Sequence, residues 1–289
     1  MLTKDYLNIW LETFVQPFRA ANTVACYRRA IAHLPAALLS TQLAELNGIQ
    51  IQQALNDQAR TAPRAAQLTY ATMHCAMERA VLLGMLERNP VKGCIKPPHQ
   101  TATAPVLTLA QMRLYLQAIR AVDSYVLLLL MASLGLRRGE ALGLMWADLD
   151  QQTIHVQRQR MRIGGSYQTC ALKSRQSNRV LPVPESTWRC LLAERARASS
   201  LFICDVTPSK LRNDHMKALR MANLPQEVTL HGLRHSMATI AAGQGTPMKL
   251  LQAILGHAKY DLTADLYAAH IDESSTLLPI AGYADAVGL

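Results

Sequence analysis

The chain has 289 residues, half of them hydrophobic and 17% charged. That balance excludes a disordered polypeptide and leaves room for two domains with cores of their own. A formal charge of +10 admits a polyanionic partner, either nucleic acid or an anionic membrane surface, without choosing between them. Cys26, Cys75, Cys94, Cys170, Cys190 and Cys204 are scattered, and no pair has the Cys-x-x-Cys spacing of a zinc or redox site. They read as small buried hydrophobes in a reducing cytoplasmic setting. The N-terminus lacks the charged and apolar regions of a secretion signal. The longest apolar run, Val126–Leu136, is too short to cross a bilayer and ends at Arg137-Arg138, so it reads as a buried core helix.

The first part reads as helices only. Leu2, Tyr6, Ile9, Trp10 and Phe14 recur at helical spacing. A second helix is expected from about Asn22, with Thr23 as its N-cap and Arg28 and Arg29 on its polar side. A third covers Ile49–Ala59. A fourth starts after Thr61 with Pro63 in its first turn, where the missing N–H costs nothing, and runs to about Glu87 before Asn89-Pro90. Pro97, Pro98 and Pro105 mark a linker. The expected division is a helical domain over 1–95, a linker over 96–106 and a second domain over 107–289.

The second part opens on Thr108-Leu-Ala-Gln111, a capping-box pattern. A helix from Ser124 ends at Gly135. A short helix then leads into strands: Ile154 and Val156 alternate with polar residues, Gly164-Gly165 turns the chain, Tyr167 to Lys173 returns, and Val180, Leu181 and Val183 form a third strand. Helices are expected over Glu185–Ala198, Ser209–Asn223, His231–Ala242, Pro247–Leu255 and Asp261–His270, with no clear pattern from Ile271 onward. The fold class is mainly α (α+β), with one small three-stranded antiparallel sheet.

Several residues invite a chemical reading beside a plainer one. Arg137 follows the glycine that ends a buried helix, where any cation is favoured. Lys173 sits at a hairpin tip like many solvated lysines, with Arg175 its neighbour. His231 and Arg234 share one helical turn. His231 and His235 have the spacing of a metal pair, yet the glutamate of His-Glu-x-x-His is absent and no third ligand is suitably spaced. A core histidine is the simpler reading, though it leaves Arg234 on a largely apolar helix unexplained. His257 follows Gly256 off a helix end, and Tyr267 by itself is a half-buried packing tyrosine.

Taken in order, Leu-Gly-Leu-Arg137 with Gly139-Glu140, then Lys173, His231-x-x-Arg234, Gly256-His257 and Tyr267 resemble the signature of the tyrosine recombinases, the phage integrase family. The resemblance covers the whole chain. It implies a core-binding domain followed by a catalytic domain, with Arg137, Lys173, His231, Arg234, His257 and Tyr267 as catalytic residues and Glu140 as a buttress for Arg137. It implies no metal and no cofactor. Tyr267 would attack a DNA phosphate to give a 3′-phosphotyrosyl enzyme, Arg137, Arg234 and His257 would hold the phosphate, His231 would accept a proton and Lys173 would donate one. Tyr260 is the nearest rival nucleophile.

The implied partner is double-stranded DNA at specific recombination sites, bound by a homotetramer, with accessory DNA-bending or directionality proteins as further partners and no membrane. The two domains would clamp the duplex. Arg28, Arg29, Arg158, Arg160, Arg162, Arg175, Arg179, Lys210 and Arg212 are the candidate phosphate contacts, and the tail after His270 is a candidate for docking on a neighbouring subunit. The chain opens directly on helices, without the extra N-terminal domain of many phage integrases. That leaves integration or excision of a mobile element, or an Xer-type resolution of chromosome or plasmid dimers. A type IB topoisomerase-like enzyme and a non-catalytic DNA-binding regulator on the same scaffold are the readings from other classes.

Overall fold

The computed structural model describes residues 1–98, 105–163, 165–172, 175–256 and 280–288. The chain forms two compact units, Met1–Ala102 and Thr103–Leu289.

The first unit is helical. Helix α1 (Thr3–Trp10) runs on through one wider π turn (Leu11–Val15) and is followed by α2 (Ala21–Ala32), α3 (Ala36–Ser40), α4 (Gly48–Thr61) and α5 (Pro63–Leu82). The apolar stripe of α1 is Tyr6, Leu7, Trp10 and Leu11, all buried, and the Tyr6 hydroxyl donates to Ala76 O of α5 at 2.6 Å. Ile9, expected on that stripe, is 48% exposed: it fits the period but lies on the outer flank of a narrow buried face. Helix α2 starts one residue earlier than expected, with Ala20 at its N-cap and Thr23 inside its first turn. Asn47 caps α4, accepting from Gln50 N while Gln50 Oε1 accepts from Asn47 N. Helix α5 ends at Leu82, not near Glu87, because Gly84 takes a positive φ of 69° and reverses the chain.

In the second unit α6 (Leu109–Ala118) begins at Thr108, whose side chain accepts from Gln111 N while Gln111 Oε1 accepts from Thr108 N. Helix α7 (Tyr125–Leu134) is the central helix, with Val126 to Leu134 all buried. Gly135, at φ 62°, ends it, and a Cβ there would stand 2.9 Å from Leu255 Cδ2. After α8 (Arg138–Gly143) the expected single sheet divides in two. Strands β1 (Leu149–Asp150), β2 (Thr153–Val156) and β5 (Arg179–Pro182) form one antiparallel sheet in the order β1-β2-β5. Strands β3 (Arg158–Ile163) and β4 (Ser166–Ala171) form a separate hairpin. Residues 154, 156 and 181 point to the core and are buried, whereas the hairpin buries none of its described side chains fully, so only the first sheet is held by a hydrophobic face.

Helices α9 (Glu185–Arg195), α10 (Pro208–Met221), α11 (Leu230–Gly243) and α12 (Met248–Leu255) complete the body. The tail, patternless in sequence, contains a helix, α13 (Ile280–Val287). Its Tyr283, Ala284 and Val287 are buried, the Tyr283 hydroxyl donates to Ala132 O at 2.7 Å, and Arg113 Nε donates to Ala286 O. This helix is therefore seated on its own unit in the single chain. The helix expected over 261–270 lies outside the described residues. The cysteines also depart from expectation: all six are free, but only Cys94 is buried and Cys75 is exposed. No helix among the described residues is long and apolar enough to cross a membrane.

Candidate active site

The site is built where three helix ends meet. Arg137 occupies the N-cap position of α8, directly after the turn that ends α7. Glu140, three residues on and 2% exposed, accepts from Arg137 Nη1 at 2.6 Å through Oε1 and from the Arg137 backbone N–H at 3.0 Å through Oε2. Arg137 therefore has the expected buttress, and 36% of its side chain stays open to solvent. Its other fork nitrogen, Nη2, donates to Gly256 O at 3.1 Å. Gly256 is the left-handed end of α12, at φ 62°, and a Cβ on it would lie 3.0 Å from Gln176 O and 3.2 Å from Arg179 Nη1. Only glycine fits that approach, and the residue that follows it is His257.

Arg234 and His231 come from α11. Arg234 is 1% exposed; Nη1 donates to Gly135 O at 2.7 Å and Nη2 to Leu255 O at 2.5 Å. It holds the ends of α7 and α12, both rich in unshared carbonyls, where a cation is favoured. Of the two arginines, Arg137 is thus the one open to a ligand in this structure.

His231 is exposed at the surface, yet its ring packs edge-on against His235 with centroids 4.2 Å apart. Desolvation by that packing, and then the charges of His235, Arg234 and Arg137, push its pKa down to about 4. The imidazole is neutral at pH 7, so a ring nitrogen is open to accept a proton, while the same shift makes it a weaker base than an ordinary histidine. A groove of 610 Å³ opens beside it, with Arg138 and Arg212 on its walls. His215 plays another part: Nε2 lies 2.8 Å from Val228 O, a pure acceptor, so Nε2 carries the proton and Nδ1 accepts from the Tyr115 hydroxyl at 2.8 Å. Among the described residues no cluster of histidine, cysteine, aspartate or glutamate is arranged to hold a metal ion.

Lys173, His257 and Tyr267 lie outside the described residues, as does the Arg175 side chain. The remaining basic candidates separate into two groups. Arg28, Arg29, Arg162 and Arg212 are exposed. Arg158 is committed to the buried Asp148, with Nη1 at 2.8 and 2.6 Å from its two oxygens. Arg160 pairs with Asp205 and lies over the Phe202 ring, and Lys210 pairs with Asp123 and Asp214. Arg179 is not a surface phosphate contact. It is buried, its Nη2 is 2.9 Å from Glu140 Oε2, and its other nitrogens donate to Ile254 O and Ser177 O. Sequence reading missed this because nothing local in Asn178-Arg179-Val180 distinguishes a buried arginine from a hairpin charge. The only signal is that Arg179 opens a strand whose alternate residue, Leu181, faces the core.

Burial alone would raise the Glu140 pKa, but the hydrogen bond and charge of Arg179, with the backbone and side-chain hydrogen bonds of Arg137, outweigh it and hold the carboxyl below its ordinary value. Its stabilising contribution is present above the unfolded carboxylate pKa and is lost as pH falls through the lowered folded value. Glu140→Ala leaves the Arg179 guanidinium buried without a counter-charge, which is expected to cost about 3–5 kcal/mol. Denaturant unfolding of the variant beside wild type measures it, and a loss under about 1 kcal/mol would show that the pair is not needed to hold Arg179 in place.

Residues 105–274 match the model of the phage integrase family. Over 94% of its length the chain is 26% identical to a tyrosine recombinase XerC-like protein of Caldanaerobacter subterraneus subsp. tengcongensis, covering 80% of that protein. Over 88% of its length it is 26% identical to a putative prophage phiRv2 integrase of Mycobacterium tuberculosis, covering 71% of it. In fold it is similar to a Tn1549 transposon integrase solved with a circular-intermediate DNA, with a TM-score of 0.81 at 20% identity over 92% of this chain and 95% of that one. It is also similar to a lambda integrase solved as a tetramer on a Holliday junction, with a TM-score of 0.74 at 17% identity over 96% of this chain and 80% of that one. The family match spans more than half of the chain and contains every element gathered around Arg137, Glu140, His231 and Arg234: the chain belongs to the phage integrase family, the tyrosine recombinases.

Proposed function

We propose that this chain is a site-specific DNA recombinase that cleaves and rejoins strands through a 3′-phosphotyrosine. The observation that carries this reading is the convergence of Arg137 and Arg234 on the end of α12, with Arg137 bonded to Gly256 O immediately before His257, and a neutral His231 near enough to feel the charges of both arginines. In this reading the Tyr267 hydroxyl oxygen attacks the scissile phosphorus and passes its proton to His231. The P–O5′ bond breaks and Lys173 protonates the leaving oxygen. Arg137 and His257 offset the charge that builds on the phosphate, with Arg234 holding the two helix ends that frame it. A 5′-hydroxyl of a partner strand then attacks the phosphotyrosine and releases Tyr267. The bond energy is kept throughout, so no nucleotide cofactor is consumed. Strand exchange between two duplexes calls for a tetramer on DNA, the assembly in which the similar lambda integrase was solved.

The proposed role is integration and excision of a mobile element. The XerC-like relative, equally identical and matched over more of this chain, favours a second reading as a dimer resolvase. Duplexes that trap the protein covalently, selected from a randomised pool, supply the sites. Two such sites are then placed on one supercoiled plasmid and, separately, on two plasmids. Recombinant circles are the expected product. Exchange between unlike sites on separate molecules supports the integrase role, and exchange only between identical sites on one circle supports the resolvase. Relaxation of supercoils with no recombinant product would overturn the recombinase reading in favour of a topoisomerase.

A further inference from the structure

The last carbonyls of a helix have no partners within it. At the end of α12 the carbonyls of Ile254, Leu255 and Gly256 each accept from a different arginine: Arg179 Nε at 2.5 Å, Arg234 Nη2 at 2.5 Å and Arg137 Nη2 at 3.1 Å. Two of these arginines belong to the proposed site. The third, Arg179, has a side chain 7% exposed and does not reach the surface.

Its remaining nitrogens show what it does. Nη1 donates to Ser177 O at 2.9 Å and Nη2 to Glu140 Oε2 at 2.9 Å. Arg179 therefore joins the start of β5, the turn Arg175–Ser177, the carboxylate of α8 and the end of α12. The division of Glu140 is the informative part: Oε1 takes the Arg137 guanidinium, and Oε2 takes Arg179 together with the Arg137 backbone N–H. With Arg179 present the carboxylate plane is fixed and offers Arg137 one oxygen. Without it, Oε2 keeps only the Arg137 backbone N–H, and the planar guanidinium can turn to take both oxygens and leave Gly256. A lysine keeps the charge at 179 but not the fork, and cannot span Glu140, Ile254 O and Ser177 O together.

We infer that Arg179 is a positioning residue for the cleavage reaction, holding Arg137 through Glu140 and fixing the helix end that precedes His257. The inference rests on the proposed recombinase chemistry. It sets Arg179 apart from an ordinary buried ion pair, which hydrophobic residues of similar volume can replace without loss.

The test uses the full chain and the nicked duplex that wild type selects from a randomised pool. Single-turnover adduct formation, DNA affinity and thermal unfolding are measured for wild type, Arg179→Lys, Arg179→Met and Tyr267→Phe. A displacement of the reacting groups on the ångström scale is expected to slow adduct formation by Arg179→Lys by about 10²-fold, with DNA affinity within about threefold of wild type. On a duplex with a neutral methylphosphonate at the scissile position, the charge that Arg137 offsets is gone, so the defect should shrink to about threefold or less. Arg179→Met should follow Arg179→Lys if it folds, and the lysine variant carries the test if it does not. Adduct formation by Arg179→Lys at the wild-type rate overturns the inference. So does a loss of DNA affinity in step with the rate, which is the behaviour of a phosphate contact. A defect undiminished on the methylphosphonate overturns it as well, since general damage to the fold does not depend on phosphate charge. If wild type forms no adduct, or Tyr267→Phe still forms one, it is the recombinase chemistry that fails and not the role of Arg179.

Discussion

Replacing Arg137 with alanine is expected to slow covalent adduct formation by about 10²–10³-fold, the usual loss when one donor aimed at transition-state charge is removed. The expectation follows from position. Arg137 is the arginine of the site with solvent access, at 36%, and Glu140 already holds one arm of its fork. Its guanidinium is thus oriented before any phosphate arrives, so little reorganisation is left to the reaction. The fold should survive, because Glu140 keeps Arg179 as a partner. Arg137→Lys restores a charge without the fork and should recover only part of the rate. The check is a single-turnover rate at saturating DNA, with DNA affinity measured beside it. A variant that binds poorly but cleaves at the wild-type rate when saturated would place Arg137 in binding and not in transition-state stabilisation.

Tyr267→Phe carries the largest effect. A nucleophilic oxygen is lost with almost no change in shape, so adduct formation should vanish while DNA binding remains. A tyrosine hydroxyl has an ordinary pKa of about 10 and needs a base. His231, its pKa near 4, is a neutral acceptor throughout the physiological range. As pH falls from 7 toward 5 this histidine stays unprotonated, so it imposes no loss of rate there; protonation removes the base only as pH approaches about 4.

How much of this was legible in the sequence depends on the range of the forces involved. Thr108 and Gln111 cap α6 as read, because a capping box is complete within four residues. Gly135 and Gly256 end α7 and α12 as read, because a left-handed turn is a local demand that glycine meets. The pairing of Glu140 with Arg137 is also local, three residues apart. What failed was long-range. Arg179 meets Glu140 from 39 residues away and Ile254 O from 75, so a charge in a polar turn was read as a surface contact. Arg158, a candidate phosphate contact, also pairs with the buried Asp148, 10 residues upstream, a partner that nothing in its own strand announces. Three strands in one sheet were expected and five form, in two: β2 pairs with β5 across an intervening hairpin, Ile154 opposite Leu181, a register that alternation within each strand does not specify. The tail was read as patternless because a short helix with three buried residues carries too little periodicity to stand out. Its place is set by Tyr283 finding Ala132 O, 151 residues away.

The central claim, covalent catalysis by one tyrosine, is tested most directly by trapping wild type on the nicked duplex it selects, digesting the adduct and locating the nucleotide by mass spectrometry. The account predicts a single modified peptide carrying a 3′-linked phosphate on Tyr267, absent from Tyr267→Phe. A nucleotide on Tyr260 or on any other residue, or an adduct that persists in the phenylalanine variant, would contradict it.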